Sequence, residues 1–280
     1  MHVCIVGGGI VGLASAHALA TRGAEVTLLE RGHLGSGSTD RAVGGIRAQF
    51  SRPENVRLSL ASMAVWEAFE ERFGVDIGYR REGYLFLARG AETAADLRES
   101  AAMQADLGVP VEVLDPTEAT DHCPELRAER YMLATYSPTD GFADPHLVVQ
   151  GYAAACREAG VDLRPKTAVT DLLRDGERVV GVETADGEVR ADRVVNAAGA
   201  WAARVAAMAD VETPVSPRRR QVAVVDPETP VPESVPLTID LESGSYFRPE
   251  REGRALVGGH FADVDPPADP DGFREKHDLD

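Results

Sequence analysis

The chain has 280 residues, long enough for one large domain or two interleaved ones around a sizeable core. Its 46 acidic and 29 basic residues leave a net charge of −17, so a nucleic-acid backbone or an anionic membrane surface would repel it. Lys166 and Lys276 are the only lysines, and acid excess with so little lysine is the composition of a halophilic protein, in which high salt screens self-repulsion.

Residues 1–30 carry the densest signal. Val3-Cys4-Ile5-Val6 is an apolar run of strand length. It breaks at Gly7-Gly8-Gly9-Ile10-Val11-Gly12, a helix pattern runs from Leu13 to Arg22, and Gly23 closes it. A second apolar run, Val26 to Leu29, ends in Glu30. Strand, G-x-G-x-x-G, helix, strand and acid form a dinucleotide-binding unit. Gly7 permits the tight turn, Gly9 lets a pyrophosphate approach the backbone, and Gly12 lets the helix pack against the strand. The helix N-terminus offers N–H groups and partial positive charge to phosphates. Glu30 stands where a carboxylate takes both ribose hydroxyls and repels a 2′-phosphate, which argues against NADP. The motif alone does not separate FAD from NAD.

Arg31 to Thr39 is a loop of small and hydroxyl residues, suited to a second wall on the phosphate side, with His33 solvated. Gly44-Gly45 allows a flat ring to lie on the main chain, and Arg47 beside it can hold a carboxylate in a bidentate pair. Ser51-Arg52-Pro53-Glu54 reads as a capping box opening a helix to Phe73, stopped by Gly74, with Leu58, Ala61, Val65, Ala68, Phe69 and Phe73 as its apolar face. Trp66 is assigned to packing. Gly83 to Ala88 is a predicted strand, and Ala91 to Leu107 a predicted helix ended by Gly108.

Pro138-Thr139-Asp140-Gly141 is a turn signal. Asp144-Pro145 caps a helix to Ala159, stopped by Gly160. Strands follow from Val161 and Ala168, with hairpin turns at Asp175-Gly176 and Asp186-Gly187. Val194-Val195 resembles a parallel-sheet run and enters Asn196-Ala197-Ala198-Gly199-Ala200-Trp201, a second close backbone approach. From Val215 the pattern is β, over Gln221–Val225, Leu237–Ile239, Ser245–Phe247 and Ala255–Val257, and residues 262–280 read as a loop leading into a barely begun helix.

Cys4, Cys123 and Cys156 are odd in number and widely spaced, and no histidines fall at ligand spacing, so neither a disulfide framework nor a metal site is expected. No apolar run reaches membrane-spanning length and no basic segment precedes a hydrophobic region, so a cytoplasmic protein is expected.

With these residues in view, the chain resembles the D-amino-acid-oxidase-type FAD-dependent oxidoreductases, within them the sarcosine oxidase and proline dehydrogenase β-subunit branch. The carriers are Gly7 to Gly12 with Glu30, Gly35-Ser36-Gly37-Ser38-Thr39, Gly45-Ile46-Arg47-Ala48-Gln49-Phe50, Gly83-Tyr84-Leu85-Phe86, Asp140 to Pro145, and Asn196 to Trp201. The resemblance implies an α/β fold in which a Rossmann-like, glutathione-reductase-like FAD-binding domain (1–78 and 144–212) is interleaved with a mixed β-sheet substrate domain (79–143 and 213–280). It implies that Glu30 binds the adenosine ribose, that Arg31, Ser38 and Thr39 line the adenosine–pyrophosphate path, and that Val169 holds adenine by its backbone. Ala198 and Gly199 join the cofactor-binding set. Gly44 and Gly45 would face the isoalloxazine, and the candidate catalytic residues are Arg47, for a substrate carboxylate, and Tyr246, on the strand facing the pocket.

Some relatives attach flavin covalently through histidine. Here His146 is one position out of register, with Pro145 in the matching place, so non-covalent FAD is expected. The implied reaction oxidises a small amino acid or secondary amine, such as sarcosine, proline or glycine, by hydride transfer to flavin N5. The family's later substrate strands and final glycine-rich segment do not occur within these residues. The chain is therefore expected to be a fragment, to be completed by a partner subunit, or to be a degenerate product. Two alternatives follow, a non-catalytic FAD-binding fragment and a hydroxy-acid dehydrogenase. The electron acceptor is left open.

Overall fold

The computed structural model describes residues 1–259 and 267–272. In chain order, β1 (His2–Val6), α1 (Ile10–Ala20) and β2 (Glu25–Glu30) open the fold, and a two-residue β3 (Gly45–Ile46) follows. Next come α2 (Pro53–Glu67), α3 (Phe69–Phe73), β4 (Tyr84–Ala88), α4 (Ala91–Asp106), β5 (Glu112–Leu114), β6 (Leu133–Ser137) and the short β7 (Gly141–Phe142). Then α5 (Pro145–Glu158) precedes β8 (Asp162–Pro165), β9 (Val169–Asp175), β10 (Arg178–Thr184), β11 (Gly187–Arg190), β12 (Arg193–Asn196) and α6 (Ala202–Ala207). The last elements are β13 (Gln221–Val225), β14 (Leu237–Asp240), β15 (Tyr246–Pro249) and β16 (Ala255–Gly259).

One sheet is parallel, in the order β12-β1-β2-β8. Because successive strand side chains point to opposite faces, β1 divides its residues between two cores. Val3 and Ile5 pack with Leu13, Ala16, Tyr152 and Cys156 under α1 and α5. Cys4 and Val6 pack with Val182 and Val189 of an antiparallel three-stranded sheet, β11-β10-β9. A strand buried on both faces needs an unbroken apolar run, which is what Val3 to Val6 supplies.

The second large sheet is mixed, ordered β13-β16-β15-β14-β4-β6-β5, with β14 and β4 parallel and the other pairs antiparallel. Between the two large sheets, β3 pairs with β7 (Gly45 with Phe142, Ile46 with Gly141). The Ala143 N–H donates to the Gly44 carbonyl at 2.9 Å. Among the described residues no helix is long and apolar enough to cross a membrane.

Three local expectations are corrected. Ser51 does not cap α2; Arg52 is the N-cap, extended at φ −121° and ψ 130°, with no side-chain cap bond. A residue before proline is driven out of the helical region, so Pro53 moves the cap one residue past Ser51. The single helix to Phe73 is two helices, broken at Ala68 (φ −99°, ψ 18°), and the break lets Phe69 pack on Phe73 and Tyr152. Its inward face is Val56, Leu60, Met63 and Trp66, at helical spacing, packed near Ala48 and Val109, whereas Leu58 is 68% exposed. β5 and β6 were not among the predicted strands. The expected loop and helix over 262–280 fall largely outside the described residues.

Candidate cofactor and substrate site

The turn between β1 and α1 is set by sterics. Gly7 lies at φ +110°, and a Cβ there would stand 2.4 Å from the Ala197 carbonyl oxygen. A Cβ on Gly12 would stand 1.9 Å from the Gly7 carbonyl oxygen, so α1 crosses its own entry turn at a distance only glycine allows. α1 starts at N-cap Gly9 with no side-chain cap and no acidic residue in its first turn. The Ile10 N–H donates to Thr39 Oγ1 at 3.2 Å, which seats the Arg31–Thr39 loop over this helix start. That loop is tied down again where the Gly35 N–H meets the Gly8 carbonyl at 2.9 Å.

Glu30 ends β2 facing the same turn. Its Oε2 accepts from the Gly8 N–H at 2.8 Å and its Oε1 from the Gly32 N–H at 2.7 Å. Each carboxylate oxygen keeps a further acceptor position, so the two N–H bonds orient the group without exhausting it. A helix start with one N–H taken by Thr39 Oγ1, a turn that only glycine can make and an oriented carboxylate suit a dinucleotide pyrophosphate and its ribose.

The remaining nucleotide-side candidates fall around this core. Ala198 backs onto Gly7, whose added Cβ would lie 3.1 Å from its Cα, and the Asn196 side chain fixes the Ala198 turn by accepting from the Ala198 N–H at 3.2 Å and donating to the Ala202 carbonyl at 2.8 Å. Gly199 follows at φ +54°. Val169 opens β9 just after a segment whose Lys166 and Thr167 N–H groups donate to the Gly32 and Glu30 carbonyls, at 2.9 and 2.8 Å. Arg31 stacks on the Trp201 ring at 3.8 Å and pairs with Asp271 at 3.1 Å, and Asp271 also accepts from Trp201 Nε1 at 2.8 Å. Ser38 is exposed on the outer side of the loop.

The substrate-side candidates gather around β3, β4 and β15. Gly44 (φ +73°) has room for no Cβ, which would stand 1.9 Å from the Ala143 carbonyl oxygen, and a Cβ on Gly45 would stand equally close, at 1.9 Å, to the Tyr84 hydroxyl. Arg47 is half-buried, its guanidinium 4.6 Å from the Phe50 ring, 5.2 Å from Phe86 and 5.9 Å from Tyr84. No hydrogen bond or ion pair joins that guanidinium to another described residue. Burial lowers its pKa, opposed by Tyr84 and Asp140. Burial pushes the Tyr246 phenol up, so it stays protonated, and its hydroxyl lies so close over Gly258 that a Cβ there would be 2.3 Å away.

Two residues that sequence reading left without a role hold this region together. Asp140 was read as part of a turn, yet it is fully buried and bonds to the backbone beside Arg47. Arg248 is 9% exposed; its Nε donates to the Val43 carbonyl at 2.9 Å, fixing the chain just before Gly44. Asp140-Gly141 was conspicuous only as a turn, and Arg248 had no local signal at all, because its partner is 205 residues away. Among the described residues no group of three or more His, Cys, Asp or Glu could hold a metal.

Parallel strands ending on a glycine cradle, with a mixed sheet beside them, define a dinucleotide-binding α/β protein. Residues 2–279 match the family model described as DAO, FAD dependent oxidoreductase, and the chain belongs to that family. It is 34% identical over 263 residues to a glycine oxidase of Geobacillus kaustophilus, covering 91% of this chain and 69% of that one. It is 32% identical over 254 residues to the mitochondrial dimethylglycine dehydrogenase of Rattus norvegicus, covering 89% of this chain and 30% of the relative. The crystal structure of L-proline dehydrogenase from P. horikoshii superposes with a TM-score of 0.84 at 34% identity, over 92% of this chain and 69% of that one. The α/β fold with a parallel and a mixed sheet, expected from the sequence, is the fold these structures share.

Proposed function

We propose that this chain binds FAD non-covalently and oxidises a small carboxylate-bearing amine, an amino acid or secondary amine of the sarcosine, proline or glycine type. The observation that carries the substrate class is Arg47. It is a half-buried guanidinium, framed by Phe50, Phe86 and Tyr84, beside Gly44-Gly45 and without an ion-pair partner among the described residues. A planar cation in such surroundings prefers a desolvated, bidentate carboxylate. We assign the parallel-sheet half to FAD and the mixed-sheet half to the substrate.

FAD, when bound, supplies the two-electron acceptor. Gly7, Gly9, Gly12 and the first turn of α1 would hold its pyrophosphate, Glu30 its ribose, and the Gly44-Gly45 main chain its ring. Arg47 binds and orients the substrate carboxylate, and alignment of the reacting carbon is the chief service such anchoring performs. The aromatic frame excludes water and the charge of Arg47 disfavours a second positive charge, which favours the free amine over the ammonium ion that prevails in bulk water. Tyr246, protonated over the working range, serves as a hydrogen-bonding wall and not as a base.

The test is dye reduction by purified protein with sarcosine, proline and glycine, and with lactate and glycolate as the hydroxy-acid arm. Reduction by an amine supports the reading; reduction only by a hydroxy acid replaces it; bound FAD with no reduction by any of them marks a non-catalytic flavin binder. Arg47→Ala should raise KM for the amine by about 100-fold, the loss of a charged hydrogen-bonded pair, while FAD content stays unchanged. An unchanged KM removes the assignment of Arg47.

A further inference from the structure

Asp140 sits in the short link between β6 and β7, with none of its surface exposed. Its Oδ1 accepts from the Ala48 N–H at 2.8 Å and its Oδ2 from Gln49 Nε2 at 3.1 Å. Gln49 is itself fixed, its Nε2 donating also to the Tyr84 carbonyl at 3.0 Å and its Oε1 accepting from Thr135 Oγ1 at 3.1 Å. A carboxylate buried to this degree is costly unless a cation or several donors satisfy it. The nearby cation is Arg47, yet no hydrogen bond joins the two side chains; the carboxylate oxygens are taken instead by the two residues that directly follow Arg47. The negative charge still supports the cation, because Asp140 opposes the effect of burial on Arg47.

We propose that Asp140 is a positioning residue for Arg47. It locks the backbone at Ala48 and Gln49, so that the guanidinium is held charged, unpaired and facing the aromatic frame for an incoming carboxylate. This rests on the reading of Arg47 as the carboxylate anchor. Had Asp140 formed the bidentate pair itself, two of the five guanidinium donors of Arg47 would already be taken; had it been absent, the segment after β3 would lose its only buried charge-assisted anchor among the described residues.

The arrangement has a pH signature. The charged or titratable groups acting on Asp140 are Arg47, from the segment after β3, Tyr79, from the irregular segment ahead of β4, and Tyr84, from β4. Both tyrosines are pushed up by burial, Tyr79 to about 12, and stay neutral. Asp140 alone titrates near neutrality, raised by burial to about 6 against the lowering effect of its Ala48 and Gln49 bonds and of Arg47. Protonation puts a donor where an N–H already points and so loosens the lock on Ala48 and Gln49, while Arg47 itself stays charged over this range.

The experiment is calorimetric titration with 2-furoate, a carboxylate that stays ionised across the range, on the protein as purified with its flavin. For the wild type, affinity should fall about tenfold as pH drops from about 8 to about 5, one proton being taken up as binding is lost. Asp140→Asn should bind about tenfold more weakly at about pH 8 and show no such pH dependence. Arg47→Ala should bind weakly at every pH. If Arg47→Ala binds like the wild type, the carboxylate reading itself fails. If Arg47→Ala loses binding but Asp140→Asn keeps both the wild-type affinity and its pH dependence, the positioning role is overturned. A lowered Tm with an unmoved pH profile means that Asp140 is merely structural. Should Asp140→Asn not fold, a flat wild-type profile overturns the proposal and a fall centred near pH 6 supports it.

Discussion

The two ends of the site are made differently. At the nucleotide end, geometry is imposed by the absence of side chains: Gly7 and Gly12 approach other backbone atoms at distances no Cβ would permit. At the substrate end, Gly44 and Gly45 are as tightly enclosed, but side chains reaching across the fold add to the geometry. Asp140 holds Ala48 across 92 positions and Arg248 holds Val43 across 205. At the first end any side chain in place of Gly7 or Gly12 must displace backbone. At the second, each contact is made by a side chain that can be exchanged singly.

That contrast ranks the effects of mutation. Gly12→Val should be the most severe, because two backbone segments must separate, with a loss of about 3 kcal/mol or more in thermal or denaturant unfolding and loss of FAD from whatever folds. Gly12→Val that unfolds like the wild type would show that the cradle is not a steric constraint. Glu30→Gln comes next. Its amide must face either the Gly8 or the Gly32 N–H, so FAD affinity measured by flavin fluorescence should drop by about 10- to 100-fold with little change in Tm. An equal loss of Tm would assign Glu30 to the fold and not to the ribose.

The smallest effect belongs to the exposed cluster at the edge of the nucleotide end. Asp271 is held down to about 2 by Arg204, Trp201 and Arg31. Its folded value lies below its ordinary one, so whatever it contributes is present above about pH 4 and is lost as pH falls through about 2. Asp140 has the opposite sign: raised to about 6, it alone would make the fold more stable as pH falls from above 6 toward 4. Asp271→Asn should therefore leave Tm unchanged in high salt, where exposed pairs are screened. A salt-independent fall in Tm would make that contact more than a surface pair.

The same contrast decides what the sequence could disclose. The nucleotide end was legible because its information is local: strand, glycines, helix and acid within thirty residues follow from sterics and periodicity. Val3 to Val6, Asp144-Pro145 and the closing glycines of α1, α4 and α5 fall where their residue chemistry put them. Leu58 misled because half of a helix's apolar residues can sit on its outer face when a neighbouring stripe, Val56 to Trp66, packs better. Ser51 misled because Pro53 overrides a capping preference through a backbone clash. Arg47 was visible through its place after two glycines. Asp140 and Arg248 were not, since a buried charge announces itself only when its distant partners are known.

Whether the amino-terminal cradle holds FAD is read from the visible spectrum of the purified protein, before and after incubation with FAD and gel filtration. A cradle that binds FAD non-covalently gives a flavin spectrum at one FAD per chain, present on purification or restored by reconstitution, and releases it to the supernatant on acid precipitation. A well-folded protein that stays colourless after reconstitution would contradict it.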